Sequence, residues 1–155
     1  MAGWMFGTTR ARIHELGQDS FKGLMGRPFL NGGIVMGFMF EQLEVYQKSV
    51  DLADSLIGIT GGFPRGFGFL GNQLDRAALS IATNLAEGNG RSTRPDRRHF
   101  FTIARGSTHE CIPLLEIARR RDLVTATDYN RFRWELEVIA KMVSGLISGL
   151  DKRRA

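Results

Sequence analysis

From Phe40 onward, apolar residues recur along the chain at steps of three and four, the spacing of one face of an α-helix. The pattern predicts four helices whose buried faces carry, in turn, Leu43, Tyr46, Val50, Ala53 and Ile57; Leu70, Leu74, Ala78, Ile81 and Leu85; Phe100, Ala104, Ser107, Cys111, Leu114 and Ala118; and Phe132, Leu136, Ile139, Val143 and Ile147. No alternating pattern typical of strands competes with it. Each helix would have roughly 20 residues and a length of about 30 Å. We therefore expect an all-α fold, an up-down-up-down antiparallel four-helix bundle.

Glycines predict the links between the first three helices. A glycine-rich loop, residues 58–68, follows the first helix, and the second helix is expected to run from about Phe69 to Glu87. Gly88 and Gly90 then end the second helix, so we expect residues 88–91 to form a tight turn.

Capping residues predict where the third and fourth helices begin. Thr93 and Thr125 are each followed three residues later by an aspartate, which is a shortened capping box. Pro113 lies inside the third helix, where it removes a backbone donor and crowds the carbonyl of His109. We therefore expect a kink in the third helix at this proline.

Residues 1–38 differ from the rest of the chain. Glycine is scattered through them, and neither the helical nor the strand period persists. We expect a poorly ordered extension in front of a bundle domain formed by residues 39–155. Because Met39 stands where regular structure begins, the alternative is that the extension is an artefact of an upstream start codon.

The composition suits one cytoplasmic domain. With 155 residues, of which 43% are apolar, the chain can bury one core. Its one cysteine, Cys111, excludes an internal disulfide and fits a reducing compartment. No apolar run approaches the roughly 18 residues of a membrane span, and the N-terminus lacks the pattern of a secretory signal. We expect a cytoplasmic protein without a membrane partner.

The chain is basic, with a formal net charge of +5. The excess lies in two clusters of arginines, one with Arg91, Arg94, Arg97, Arg98 and Arg105 and the other with Arg119, Arg120 and Arg121. Arginine clusters displace counterions from the phosphates of nucleic acids. A solvated charged face, without any polyanionic partner, explains the same clusters equally well.

The sequence offers no set of residues for catalysis or metal binding. Di-iron sites in helical bundles need Glu-x-x-His pairs, and neither His99 nor His109 belongs to one. Cys111 falls on a predicted apolar stripe, which favours a buried and inert thiol. The glycine-rich loop lacks the spacing of a phosphate-binding loop and follows no strand. We expect a non-enzymatic protein without a metal or cofactor.

Polar side chains interrupt the apolar stripes of the second and third helices. They are Arg76, Ser80, Asn84 and Glu87 on the second helix, and Arg105, Ser107 and Glu110 on the third. Buried polar groups need partners, so we expect the two arginines to pair with the two glutamates, and Ser80 and Asn84 to bond the backbone. Gly106 would allow the helices to approach closely. The alternative is that the polar residues form a subunit interface or a ligand site.

These residues also carry a family signature. The run QLDRAALSIATNLAEGNGR, residues 73–91, followed by FFTIARGSTHE, residues 100–110, resembles the 23S rRNA intervening sequence protein family. The opening FEQLEVY, residues 40–46, and the pair Phe63-Pro64 match as well. The resemblance covers about Phe40 to Leu150. In this family motif we single out Arg76, Ser80, Asn84, Glu87, Gly88, Arg105, Gly106, Ser107 and Glu110, of which Asn84, Glu87 and Arg105 are expected to share one polar network.

The resemblance implies a small cytosolic bundle that forms a ring-like homopentamer and has no established enzymatic activity. Accessory variability proteins of diversity-generating retroelements, which are related, are basic pentamers that bind nucleic acid and a reverse transcriptase. We therefore expect a non-enzymatic oligomeric protein that binds RNA or DNA through Arg91, Arg94, Arg97 and Arg98. Asp75 weakens this expectation, because a basic residue is common there in the family.

The alternative function is a protein-interaction scaffold. The chain would then be an adaptor for a polymerase-type partner and would not bind nucleic acid itself. Trp134, Phe67 and Phe69 are the aromatic residues that could anchor such a partner, if they are exposed. The same residues could equally belong to the core or to a subunit interface.

Overall fold

The computed structural model describes residues 37–152 and confirms an all-α fold built from four helices. They are α1 (Glu44–Thr60), α2 (Gly68–Gly90), α3 (Arg94–Arg120) and α4 (Ala126–Lys152). Short 3-10 turns at Met39–Gln42 and Arg65–Phe67 precede α1 and α2, and the described part of the chain contains no strand. The predictions for residues 1–38 lie outside the described residues except at Gly37 and Phe38.

The neighbouring helices α2 and α3 run in opposite directions. Near the start of α2, the side-chain amide of Gln73 donates to Glu110 in the second half of α3, over 2.6 Å. Near the end of α2, Gly88 lies against Phe101, which is close to the start of α3. Contacts that pair the start of one helix with the end of the other are those of antiparallel neighbours.

The helices α3 and α4 are also antiparallel neighbours, as contacts at both of their ends show. Arg98, near the start of α3, donates to Asp151 in the last turn of α4 over 3.2 Å. At the opposite end, the guanidinium of Arg119 lies 5.2 Å from the ring centre of Tyr129, near the start of α4. These contacts are again those of antiparallel neighbours, and the full up-down-up-down order stays a prediction.

The core contains the predicted faces of α2 and α4 in full. All ten residues named for these two faces are buried. In α3, the predicted residues Ala104, Ser107, Cys111 and Ala118 are buried. At the two other predicted positions, Phe100 and Leu114 are half-buried, and their neighbours Phe101 and Leu115 are buried instead. One step along a helix rotates a side chain by about 100°, so this prediction was wrong by one position at both places.

The predicted face of α1 was wrong at two of its five positions. Val50 and Ile57 are 40% and 41% exposed, whereas Leu52 and Leu56 are completely buried. The helix carries more apolar residues than one face can bury, so several stripes with helical spacing compete. Spacing alone therefore could not identify the stripe that faces the core.

The helix caps are as expected, but the turn after α2 is not. The Thr93 and Thr125 hydroxyls accept the backbone N–H groups of Asp96 and Asp128 over 3.2 and 3.0 Å. The tight turn predicted for residues 88–91 is wrong, because α2 continues through Gly90 and the chain leaves the helix at Arg91. The helix α3 continues through Pro113 from Arg94 to Arg120, and the kink stays a prediction.

Gly88 is where α2 and α3 approach most tightly, a role that was predicted for Gly106. A Cβ at Gly88 would lie 2.7 Å from Cε1 of Phe101 and 3.1 Å from Cβ of Phe100. A Cβ at Gly106 would meet nothing within 4 Å, and Gly106 is exposed. The prediction for Gly106 was wrong because that position lies on the outer side of α3.

We expect Gly88→Ala to lower the free energy of unfolding by about 1–3 kcal/mol, because the added methyl group overlaps the buried ring of Phe101. The matched control is Gly90→Ala, two residues later in the same helix, where a Cβ meets nothing within 4 Å. That control should be neutral or stabilising by up to about 1 kcal/mol through lower unfolded-state entropy. Urea unfolding measures both, and equal stabilities of the two variants would contradict the close contact.

Candidate functional site

The four arginines named as a nucleic-acid site lie together at one end of the bundle. Arg91 follows the last residue of α2, and Arg94, Arg97 and Arg98 lie in the first turns of α3. Only residues 91–93 separate the two helices, so the chain cannot carry these side chains elsewhere. We call the region of residues 87–98 and 151–152 the arginine end. The N-terminus of α3, which has a partial positive charge, also lies there.

Basic side chains outnumber acidic ones at the arginine end. The basic residues are Arg91, Arg94, Arg97, Arg98 and Lys152, and the acidic residues are Glu87, Asp96 and Asp151. All of these except the half-buried Arg97 are exposed. The arginine end therefore presents a net positive surface to solvent.

Two of the arginines have carboxylate partners that hold them only weakly. Arg91 pairs with Glu87 one turn earlier, and Arg98 donates to Asp151 over 3.2 Å. All four of these side chains are about half exposed, between 46% and 54%. Ion pairs at such exposure typically stabilise a protein by about 0–1 kcal/mol. A phosphate could therefore replace either carboxylate at little cost.

Arg97 differs from the other three arginines. Its guanidinium donates to the side chain of Asn89 over 3.3 Å, and its Nε atom is buried without a hydrogen-bond partner among the described residues. Its side chain is thus partly buried between α2 and α3. Arg91, Arg94 and Arg98 are the more accessible members of the set.

An open cleft adjoins the arginine end. Its volume is about 480 Å³, and its lining residues are Phe40, Thr83, Ala86, Glu87, Gly90 and Arg91. Phe40 stacks on Phe38 with ring centres 5.4 Å apart and an interplanar angle of 14°. This cleft was not predicted from the sequence, although the alternation Phe38-Met39-Phe40 in front of the first helix was a signal for exposed aromatic rings.

The polar residues between α2 and α3 form a smaller network than expected. The hydroxyls of Ser80 and Ser107 share a hydrogen bond of 2.8 Å across the two helices. The Asn84 amide donates to the backbone oxygen of Ser80 over 2.7 Å and to its hydroxyl over 3.0 Å. The bond between Ser80 and Ser107 and that between Gln73 and Glu110 connect α2 with α3, whereas the bonds of Asn84 lie within α2.

The pairing predicted for Arg76 and Arg105 with Glu87 and Glu110 was wrong. In the described part of the chain, Glu87 instead pairs with Arg91, and Glu110 accepts from Gln73. Arg105 is two positions from Ser107, so the two side chains are separated by about 200° around α3. Arg105 therefore cannot join Asn84 and Glu87 in one network between α2 and α3.

The second arginine cluster is partly neutralised within its own helix. The carboxylate of Glu116 accepts from Arg119 over 2.9 Å and from Arg120 over 2.7 Å. These bonds, first that of Arg119 and then that of Arg120, lower the pKa of Glu116 to about 2. One carboxylate offsets one of the three positive charges of Arg119, Arg120 and Arg121, so this cluster also keeps a positive surplus.

The three aromatic residues named as possible anchors lie outside the arginine end. Phe69 in the first turn of α2 is 70% exposed, whereas Phe67 is half-buried. Trp134 on α4 is 63% exposed and lines a cleft of about 240 Å³ between α1 and α4, together with Lys48 and Asp51. Of the three aromatic residues named as possible anchors, two are therefore accessible.

The described residues contain few groups with reactive chemistry. No group of three or more His, Cys, Asp or Glu side chains in residues 37–152 is placed to hold a metal ion. Cys111 is fully buried, and that burial, with a smaller effect of Glu110, raises the pKa of its thiol to about 12. No helix between residues 37 and 152 is both long and apolar enough to cross a membrane.

We expect Cys111 to react with a thiol reagent at pH 8 about a thousandfold more slowly in the folded chain than in urea, because the buried thiol stays protonated. Its pKa is about 12 in the folded chain, against the ordinary 9.0. The contribution of this thiol to stability is thus complete below pH 9 and is lost as the pH rises towards 12. Equal labelling rates in buffer and in urea would contradict this burial.

Comparison with known proteins gives one family and a structural neighbour. Residues 41–145 match the family model of the 23S rRNA-intervening sequence protein. A crystal structure of a protein with unknown function from the S23 ribosomal protein family of Bacteroides thetaiotaomicron VPI-5482 matches with a TM-score of 0.63 and 22% identity, over 67% of this chain and 95% of that chain. At that identity the likeness shows the fold alone. No curated protein matches.

Proposed function

The chain belongs to the 23S rRNA-intervening sequence protein family, and on that premise we propose that it is a non-enzymatic, oligomeric, cytoplasmic protein that binds nucleic acid through its arginine end. The observation that carries this proposal is the convergence of Arg91, Arg94, Arg97 and Arg98 on one end of the bundle. The net positive surface there, and the weak ion pairs of its arginines, favour a partner that is rich in phosphate.

Binding would be mainly electrostatic. Arg94 and Arg98 lie one turn apart on the same side of α3, so they can contact successive phosphates of one strand. Contacts of this kind position a nucleic acid without selecting its sequence. The proposal therefore predicts affinity that falls steeply with salt rather than recognition of a particular sequence.

We also propose that the chain assembles into a ring, a homopentamer as the family resemblance implies. The outward face of α3 supports self-association, because its exposed residues include apolar ones at helical spacing. The exposed residues on this face are Ile103, Gly106, Glu110, Pro113 and Ile117. The apolar side chains of Ile103 and Ile117 are 37% and 46% exposed. Several arginine ends in one assembly would bind one nucleic acid more tightly than a single end.

A scaffold for a protein partner is the second candidate, and Trp134 favours it. A tryptophan that is 63% exposed beside a cleft is the type of residue that anchors protein interfaces. This candidate predicts no retention of nucleic acid by the purified protein.

We expect the double variant Arg94→Gln/Arg98→Gln to bind a structured RNA more weakly and to lower the slope of log affinity against log salt by about 2, since each lost phosphate contact removes about one unit. Fluorescence anisotropy at several salt concentrations measures both quantities. The matched control, Arg65→Gln/Arg121→Gln, removes the same charge from exposed sites outside the arginine end. If the two double variants bind alike, the arginine end is not the site; if the native chain binds no RNA at low salt, the scaffold is the better account.

We expect Ile103→Glu/Ile117→Glu to dissociate the assembly, because a charge on each residue would be buried at the proposed contact. Light scattering should give a multiple of the single-chain mass for the native protein and a lower multiple for the variant. Thr127→Glu, at an exposed position in the first turn of α4, serves as the control and should leave the mass unchanged. A native protein of single-chain mass would refute self-association.

A further inference from the structure

Two groups of stacked, flat side chains lie at the cleft beside the arginine end. On one side Phe38 stacks on Phe40, whose ring also meets the edge of Tyr46 at 4.9 Å between centres. On the other side the guanidinium of Arg91 lies 4.7 Å above the ring centre of Phe100. Phe40 and Arg91 both line the cleft itself. Each of the two stacked pairs thus contributes one residue to the lining of the cleft.

The exposed ring of Phe38 has no structural explanation within the bundle. Phe38 is 70% exposed and Met39 is 81% exposed, although both are large apolar side chains. The nearly parallel stacking on Phe40 occupies one face of the Phe38 ring, so its other face is accessible to a further flat group. Aromatic platforms of this kind bind the bases of single-stranded nucleic acids with little regard to sequence.

The cleft has room at its base. Gly90 lines it, and a Cβ at Gly90 would meet nothing within 4 Å. Glu87 also lines the cleft, but its ion pair with Arg91 offsets its negative charge. Basic residues outnumber acidic ones in the neighbouring arginine end, which suits a strand whose bases lie at the cleft and whose phosphates continue towards Arg94 and Arg98.

We propose that the arginine end selects single-stranded over double-stranded nucleic acid, because bases stack on Phe40, which lines the cleft, and on Phe38 beside it, while the neighbouring arginines hold the phosphates. This inference rests on the proposed function and deepens it. In a duplex the bases are stacked on one another and cannot reach the two rings, so only the phosphate contacts would remain. A single strand makes both kinds of contact.

The test compares two probes with the full-length chain. They are a fluorescent single-stranded RNA of mixed pyrimidines and a fluorescent RNA duplex of the same length, each titrated at low salt by anisotropy. Phe38→Ala should weaken binding of the single strand by about 5- to 150-fold, the range expected for one stacked base, and leave duplex binding unchanged. The matched control is Phe69→Ala, which removes a ring of the same 70% exposure at the other end of α2 and should change neither probe.

A second variant tests the cleft without removing a ring. Gly90→Leu should fill the cleft and weaken single-strand binding, again with duplex binding kept. Gly58→Leu is its control, because Gly58 is exposed on α1 and a Cβ there also meets nothing within 4 Å. Circular dichroism and thermal unfolding of all four variants establish that each one folds like the native chain.

The outcomes separate this inference from the proposed function. Loss of single-strand binding in both test variants, with the duplex and the controls unaffected, supports the stacking site. Equal affinity of the native chain for both probes, with no effect of Phe38→Ala or Gly90→Leu, overturns it and leaves binding by the arginines intact. Failure of the native chain to bind either probe overturns the proposed function, and the stacking site with it.

Discussion

The contact between Gly88 and Phe101 is the constraint on which the rest of the arginine end depends. With no side chain at Gly88, the ring of Phe101, which is 2% exposed, lies directly against α2. Because the helices are so close at this end, the three residues 91–93 are enough to link them. A link of that length leaves the arginines on either side of it at the end of the bundle, where they form one solvent-exposed surface. Close packing in the core thus creates the concentration of charge at the surface.

Most of the fold could be predicted from helical spacing and capping chemistry. The faces of α2 and α4 were identified correctly, because each of these helices offers one dominant apolar stripe. In α1 the choice between Val50 and Leu52 depended on how the helix is rotated against its neighbours. That rotation is decided by the packing of all four helices and is not encoded in the spacing of any one of them. Gly88 was mistaken for a turn residue for the same reason, because a close helix contact is a property of two helices.

The candidate site could be predicted in its composition but not in its geometry. Four arginines within residues 91–98 had to lie together, since a short link follows α2. Their orientation did not follow from the sequence, and Arg97 proved to be half-buried against Asn89. The cleft could not be predicted at all, because Phe40 and Arg91 are distant in sequence and meet only when the start of α1 packs beside the end of α2. Sites formed by such long-range contacts need the structure.

The two arginine clusters show why counting charges does not locate a binding surface. Around Glu116, two arginines share one carboxylate within the same helix, so only one of their two positive charges is offset. At the arginine end the carboxylates are outnumbered as well, and the pairs of Arg91 and Arg98 are half exposed. Water already screens these pairs, so exchanging a carboxylate for a phosphate changes the energy of the folded chain little. The exposed stack of Phe38 on Phe40 adjoins the arginine end. The surplus charge and the accessible rings therefore coincide at one place on the bundle, and this coincidence, rather than the net charge of the chain, supports the proposal that the arginine end binds nucleic acid.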